Sequence, residues 1–189
     1  MKRMIPKQRL FLRGGSRFRG EQRSGRTAYE IEVDLKHVDL SESFLCGYLK
    51  IKNLTEEFPE LTTFFEAEVI GPRHKFLTRK WDADEAIDRQ HWSQFPPFRP
   101  LATQFNRDDF SFDAEASDCL FMRWKEHFLV PNHRIESVAG ASFAGFYYIC
   151  FSKANGAITG FYFHNSSEMF QSLVLTPVRE SSFPSFEYR

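Results

Sequence analysis

Tyr29-Glu30-Ile31-Glu32-Val33-Asp34-Leu35-Lys36 alternates without a break, with apolar side chains at the odd positions and charged ones at the even positions. Successive side chains of a strand point to opposite faces, so a period of two marks a strand with one face in a core and the other in water. A helix would need a period near 3.6 to keep its apolar residues together. Working outward, Leu45, Gly47, Leu49 and Ile51 alternate with Cys46, Tyr48 and Lys50. Within 62–70, Phe65, Ala67 and Val69 alternate with Glu66 and Glu68. Further strands are predicted over 119–130, 142–152, 157–164 and 168–176. Asn155-Gly156 supplies the dipeptide that suits a type I′ hairpin turn. Short connections and the absence of a strand–helix–strand rhythm predict an antiparallel meander. At about eight strands such a sheet closes into a barrel with room for one small ligand.

The pattern breaks between the third and fourth of these strands. Asp82-Ala83-Asp84-Glu85 offers short acids that accept hydrogen bonds from the free N–H groups of a helix start, and Ile87, Trp92 and Phe95 fit one helical stripe. Pro96-Pro97 ends it, so 82–95 is predicted as a helical insertion, followed by irregular chain to 117. Residues 11–28, rich in Gly and Arg, carry turn signals at Gly14-Gly15 and Gly20. Residues 1–10 are expected to be a flexible tail and 11–189 a single all-β domain, a closed antiparallel β-barrel of lipocalin-like outline.

Composition narrows the function. The 25 basic and 25 acidic residues cancel, which gives no electrostatic case for nucleic acid. Three cysteines, Cys46, Cys119 and Cys150, form neither a disulfide framework nor a zinc motif. No apolar run is long enough for a membrane span, and the charged N-terminal stretch lacks the apolar centre of a signal peptide. The expected class is therefore soluble and intracellular. His127 and His133 lack metal-ligand spacing, and no phosphate loop, nucleophile elbow or zinc-protease motif is present, so no metal and no cofactor are expected.

Polar residues on apolar faces are the informative exceptions. In 119–128 alternation puts Leu120, Met122, Trp124, Glu126 and Phe128 on one face, which makes Glu126 the one carboxylate on the apolar side. Such a group needs a cationic partner or a raised pKa. Tyr147 shares a face with Phe143, Gly145, Ile149 and Phe151, and Gln171 shares one with Met169, Leu173 and Leu175. Each could be satisfied internally. Together they describe a pocket with aromatic and aliphatic walls and a few placed polar groups. A lone inward carboxylate suits a cation such as a peptide α-ammonium.

Several longer words carry a family resemblance: Gly15-Ser16-Arg17-Phe18-Arg19-Gly20, Leu45 to Ile51 (LCGYLKI), Phe76 to Asp84 (FLTRKWDAD), Phe121 to Glu126 (FMRWKE) and Gly140 to Tyr148 (GASFAGFYY). Over 11–189 the chain resembles the vacuolar-import-and-degradation family, substrate receptors of the GID (CTLH) ubiquitin ligase. The resemblance implies an antiparallel barrel that binds proteins beginning with proline and directs them to ubiquitination and proteasomal degradation. It implies that Glu126 and Tyr147 hold the N-terminal amine. It implies that Ser142 contacts the peptide backbone just beyond the first residue and that Gln22 bonds backbone further along. Ile51, Leu54, Leu61, Leu129 and Phe143 would form an apolar wall, with Gln171 at the mouth and Tyr162 at the rim. Leu129 has the opposite parity to Glu126, and Ser142 to Tyr147, so these two need a bulge or bend that re-aims a side chain. The C-terminal tail, Phe183 to Arg189, would dock on the armadillo-like scaffold subunit of the ligase. The expected location is the cytoplasm, with the nucleus as an alternative.

Two other classes compete with a non-enzymatic receptor. A carrier of a small apolar ligand fits the barrel and the aromatic content, but has no use for an inward carboxylate. A barrel enzyme with Glu126 as general base lacks a second placed acid or base.

Overall fold

The computed structural model describes residues 8–130 and 143–179. Eight strands among them form a closed barrel: β1 (Arg17–Ser24), β2 (Thr27–Asp39), β3 (Phe44–Lys52), β4 (Glu60–Val69), β5 (Cys119–Val130), β6 (Phe146–Ser152), β7 (Ile158–Phe163) and β8 (Gln171–Pro177). Every strand pairs antiparallel with its sequence neighbours, and β8 closes on β1. The opening alternation holds throughout β2: Ile31, Val33 and Leu35 are buried, while Glu32 pairs with Arg19 and Asp34 with Arg17 on the outside.

The strand hidden from the sequence is β1. Gly20, taken as a turn signal, is a seam residue. A Cβ there would stand 1.7 Å from the Val174 carbonyl oxygen of β8, so the closing strands approach only because the side chain is absent. Phe18 is the one large apolar residue on the inner face of β1, too few to show a period.

The helical segment is shorter than the sequence predicts. Helix α2 runs Glu85–Trp92, and Asp84 caps it by accepting the Ile87 N–H at 2.9 Å. Pro96–Leu101 does not simply end the helix but makes a separate 3-10 turn with Pro96 and Pro97 in its first positions. A four-residue helix, α1 (Gln8–Phe11), precedes β1.

Two large apolar cores result among the described residues. One fills the barrel, where Phe65, Trp124, Ile149, Phe151 and Leu175 are buried and Leu12 packs with them. The other lies outside the wall, where 70–112 covers β5, β6 and β7 through Phe76, Trp92, Phe95, Phe98 and Phe105 against Phe121, Tyr148 and Phe163. Fully burying a ring of this kind contributes about 1.5–3 kcal/mol. Asp88 of α2, itself buried, joins the layers: it accepts the Thr78 N–H at 2.8 Å, the Thr78 hydroxyl at 2.5 Å and the Tyr148 hydroxyl at 2.7 Å. Arg123 of β5 reaches outward to Glu68 at 2.9 Å and to the Lys75 carbonyl at 2.8 Å.

One irregularity shapes the interior. Phe64 pairs with Phe128 but Phe65 with Glu126, so His127 is an extra residue in β5. Past this bulge the parity changes. Glu126 and Leu129 are therefore both buried, although they are three positions apart. Phe128, expected on the inner face with Glu126, instead lies outside and stacks on Phe64 with ring centroids 5.1 Å apart. Met169 also leaves its predicted place on an inner strand face, because β8 begins at Gln171 and Met169 is exposed.

A candidate binding cavity at the barrel mouth

At one end of the barrel opens a cavity of about 410 Å³, a size typical of small-ligand pockets. Ser24 at the end of β1 and Gln171 at the start of β8 line it, so this pole carries the β1–β2 and β7–β8 connections. The start of β1 and the end of β8 lie at the opposite pole.

Ten residues singled out in the sequence line this cavity: Gln22, Ile51, Leu54, Leu61, Glu126, Leu129, Phe143, Tyr147, Tyr162 and Gln171. Ser142 and the C-terminal tail lie outside the described residues. The walls divide by chemistry. Leu61, Leu129 and Phe143 form one apolar cluster, backed by Ile51, Leu54 and Phe58 from β3 and the β3–β4 loop. Facing it are the amides and hydroxyls of β1, β2, β6, β7 and β8. The sequence left out Thr63, Leu49, Ser24, Tyr29, Ser166 and Ser167, all of which also line the space. Leu49 and Tyr29 were visible as apolar members of alternating runs, and Thr63 sits two residues from Leu61 on the same inner face.

Glu126 is 6% exposed. The Thr63 hydroxyl hydrogen-bonds to its Oε2. Burial pushes its carboxyl up to about 7, opposed by that bond and by Lys125. Lys125 does not salt-bridge to it. Its ammonium donates to the carbonyls of Glu126, Phe143, Ala144 and Gly145 at 3.0–3.2 Å, which ties β5 to the segment before β6. Among the described residues no ion pair reaches the Glu126 carboxyl.

Tyr147, 3% exposed, donates its hydroxyl to Gln22 Oε1 at 2.7 Å, and Gln22 Nε2 donates to Gln171 Oε1 at 3.3 Å. Burial first, and then the nearby Glu126, hold the Tyr147 hydroxyl well above its ordinary pKa, so it keeps its proton. Beside it, at a ring separation of 5.1 Å, Tyr162 accepts the Gly145 N–H at 2.9 Å. The hydroxyl hydrogens of Thr63 and Tyr147 and one N–H of Gln22 are thus used within the wall. The Tyr147 oxygen and the Glu126 carboxyl keep lone pairs for a ligand. Such a site suits a group with several N–H donors and a positive charge. Among the described residues no cluster of His, Cys, Asp and Glu could hold a metal ion. No helix of the described residues is long and apolar enough to cross a membrane.

Comparison with known proteins shows the family to which the chain is similar. The family described as Vacuolar import and degradation protein matches residues 11–178, a span that contains every cavity residue named above. The chain is 58% identical over 179 residues to the Glucose-induced degradation protein 4 homolog of Mus musculus, an alignment that covers 94% of this chain and 82% of that protein. It is 35% identical over 195 residues to the GID complex substrate-recognition subunit 4 of Schizosaccharomyces pombe, covering 95% and 97%. Against the subunit of the same name in Saccharomyces cerevisiae it is 33% identical over 240 residues, covering 94% of this chain and 66% of that protein.

Proposed function

The chain belongs to the Vacuolar import and degradation protein family, and from that premise we propose that it is a substrate receptor of a GID (CTLH) ubiquitin ligase that takes the N-terminal end of client proteins into its barrel mouth. Relatives named substrate-recognition subunits support the receptor role. They also favour a module without chemistry of its own, in which other chains carry out ubiquitination and so commit the client to the proteasome.

The observation that carries the reading is a buried carboxyl with no ion pair among the described residues, beside a tyrosine oxygen whose own hydrogen is already donated. An N-terminal proline is a secondary ammonium with two N–H donors. Glu126 and Tyr147 would each accept one, and a charge-assisted bond away from water is stronger than a neutral one. The apolar wall of Leu61, Leu129 and Phe143 would hold the compact ring. Shape alone discriminates by about 1–3 kcal/mol per methylene, so other small N-terminal residues are expected to bind more weakly rather than not at all. Ser142 would meet the peptide backbone just beyond the first residue. The tail from Phe183 to Arg189 would join the scaffold subunit, and the protein would work in the cytoplasm and also in the nucleus. An apolar carrier fits less well, because a fatty ligand would leave Glu126 and the Gln22–Tyr147 pair facing hydrocarbon.

A fluorescent peptide beginning Pro-Gly, its N-acetylated twin and the Glu126→Gln variant test this directly. Binding of the free peptide to the wild type alone supports the receptor. Equal binding of both peptides, or no binding at all, refutes it.

A further inference from the structure

We propose that Thr63 is a two-way hydrogen-bond partner of Glu126: it can accept from the neutral carboxyl in the empty barrel and, by donating, it favours the charged form opposite a bound amine. The amine half of this proposal rests on the receptor reading above. Thr63 lies in β4 between Leu49 of β3 and Leu129 of β5. Its Oγ1 contacts Glu126 Oε2 and stands 3.5 Å from the Leu49 carbonyl oxygen. A hydroxyl carries one hydrogen and two lone pairs, so this position has two complete arrangements. With Glu126 as a carboxylate, Thr63 donates to it and gives up only the long bond to Leu49. With Glu126 as a carboxylic acid, the acid donates to Thr63 Oγ1, which passes its own hydrogen to Leu49. Neither arrangement strands the carboxyl.

The other groups around Glu126 do not take this role. Lys125 spends its ammonium on four carbonyls. His127, next in β5, faces Glu66 at 3.4 Å on the outer surface. Tyr147 of β6 donates to Gln22 of β1, and Tyr162 of β7 accepts from Gly145. That leaves Thr63 as the side chain bonded to Glu126 among the described residues. Burial alone would hold the carboxyl neutral, and the Thr63 bond pulls against it.

The test is a site-resolved titration of the Glu126 carboxyl carbon by NMR in the ligand-free protein, with Thr63→Val, Thr63→Ala and Thr63→Ser. A charge-assisted hydrogen bond lost with the hydroxyl is expected to move the midpoint up by about one pH unit in the Val and Ala variants, while Ser keeps the wild-type midpoint. The pH at which the Pro-Gly peptide begins to bind should move up with it. A midpoint that stays put or falls in whichever of the Val and Ala variants folds overturns the proposal. The titration needs no peptide, so a wild type that titrates as expected but binds no peptide removes the amine half together with the receptor reading, and leaves the hydroxyl's control of Glu126 standing.

Discussion

Tyr147 and Tyr148 are consecutive in β6 and serve opposite sides of one wall: the first donates its hydroxyl to Gln22 inside the barrel, the second to Asp88 outside it. The alternation of a strand thus joins the cavity to the outer aromatic layer through a single peptide unit. Whatever fixes Tyr148 in place also fixes the backbone that carries Tyr147.

Asp88→Ala is therefore expected to destabilise the protein by about 2–4 kcal/mol, since it leaves the buried Thr78 N–H and the Tyr148 hydroxyl without an acceptor. Tyr148→Phe removes one of the donors and should cost about 1 kcal/mol. Urea unfolding of the two variants measures both values, and equal costs would mean that Asp88 does not organise the contact.

Glu126→Gln should separate stability from binding. The carboxyl moves from about 4.5 unfolded to about 7 folded, so the folded state holds the proton more tightly between those values. The resulting contribution to stability is full below about pH 4.5 and is lost as pH rises through about 7. A glutamine never ionises. The variant should match the wild type near pH 4 and exceed it above pH 8, by on the order of 3 kcal/mol at most. Thermal unfolding across that range reads the difference. A constant offset would show that Glu126 is not the titrating group.

Amine binding should follow the same proton with the opposite sign. Only the carboxylate attracts an ammonium, so the affinity of the Pro-Gly peptide should rise from pH 6 to pH 8 and fall again once the peptide's own amine is neutral. Calorimetry in two buffers of different ionisation enthalpy should detect the proton that Glu126 releases near pH 6.5. An affinity flat across this range would disconnect Glu126 from the ligand.

The bulge at His127 makes a sharper prediction about geometry. Replacing the side chain, His127→Ala, touches only an exposed position and should change stability by less than about 0.5 kcal/mol. Deleting the residue removes the bulge and restores simple alternation with the faces unchanged: Glu126 and Leu129 stay inside, and Phe128 stays outside against Phe64. Peptide binding should therefore survive both the alanine variant and the deletion. Loss of binding in the deletion alone would show that the bulge shapes the mouth beyond setting the inward aim of Leu129.

Much of this was legible in the sequence. The alternation of β2, β3 and β4 is plain because each has one face in water. In β5 and β6 it fades, since the outer layer of Phe76, Trp92 and Phe98 makes both faces apolar. β1 was unreadable for another reason: Gly20, Gln22 and three arginines look like a loop until β8 is seen packed against Gly20. Glu126 stood out as a carboxylate among apolar neighbours. Leu129 entered through family resemblance, because parity fails at a bulge and a bulge leaves no mark in composition. Thr63 was passed over because threonine is ordinary in strands, and only the contact with Glu126 gives it meaning.

β1 starts, and β8 ends, at the pole away from the cavity. A strand of eight residues rises on the order of 25 Å, so the two points where chain leaves the barrel sit about one strand length below the opening. A barrel gripped there is held like a cup by its foot. It can be tethered, tagged or immobilised from either side without narrowing the lip, and a guest that enters head first leaves the rest of its chain trailing away from the grip.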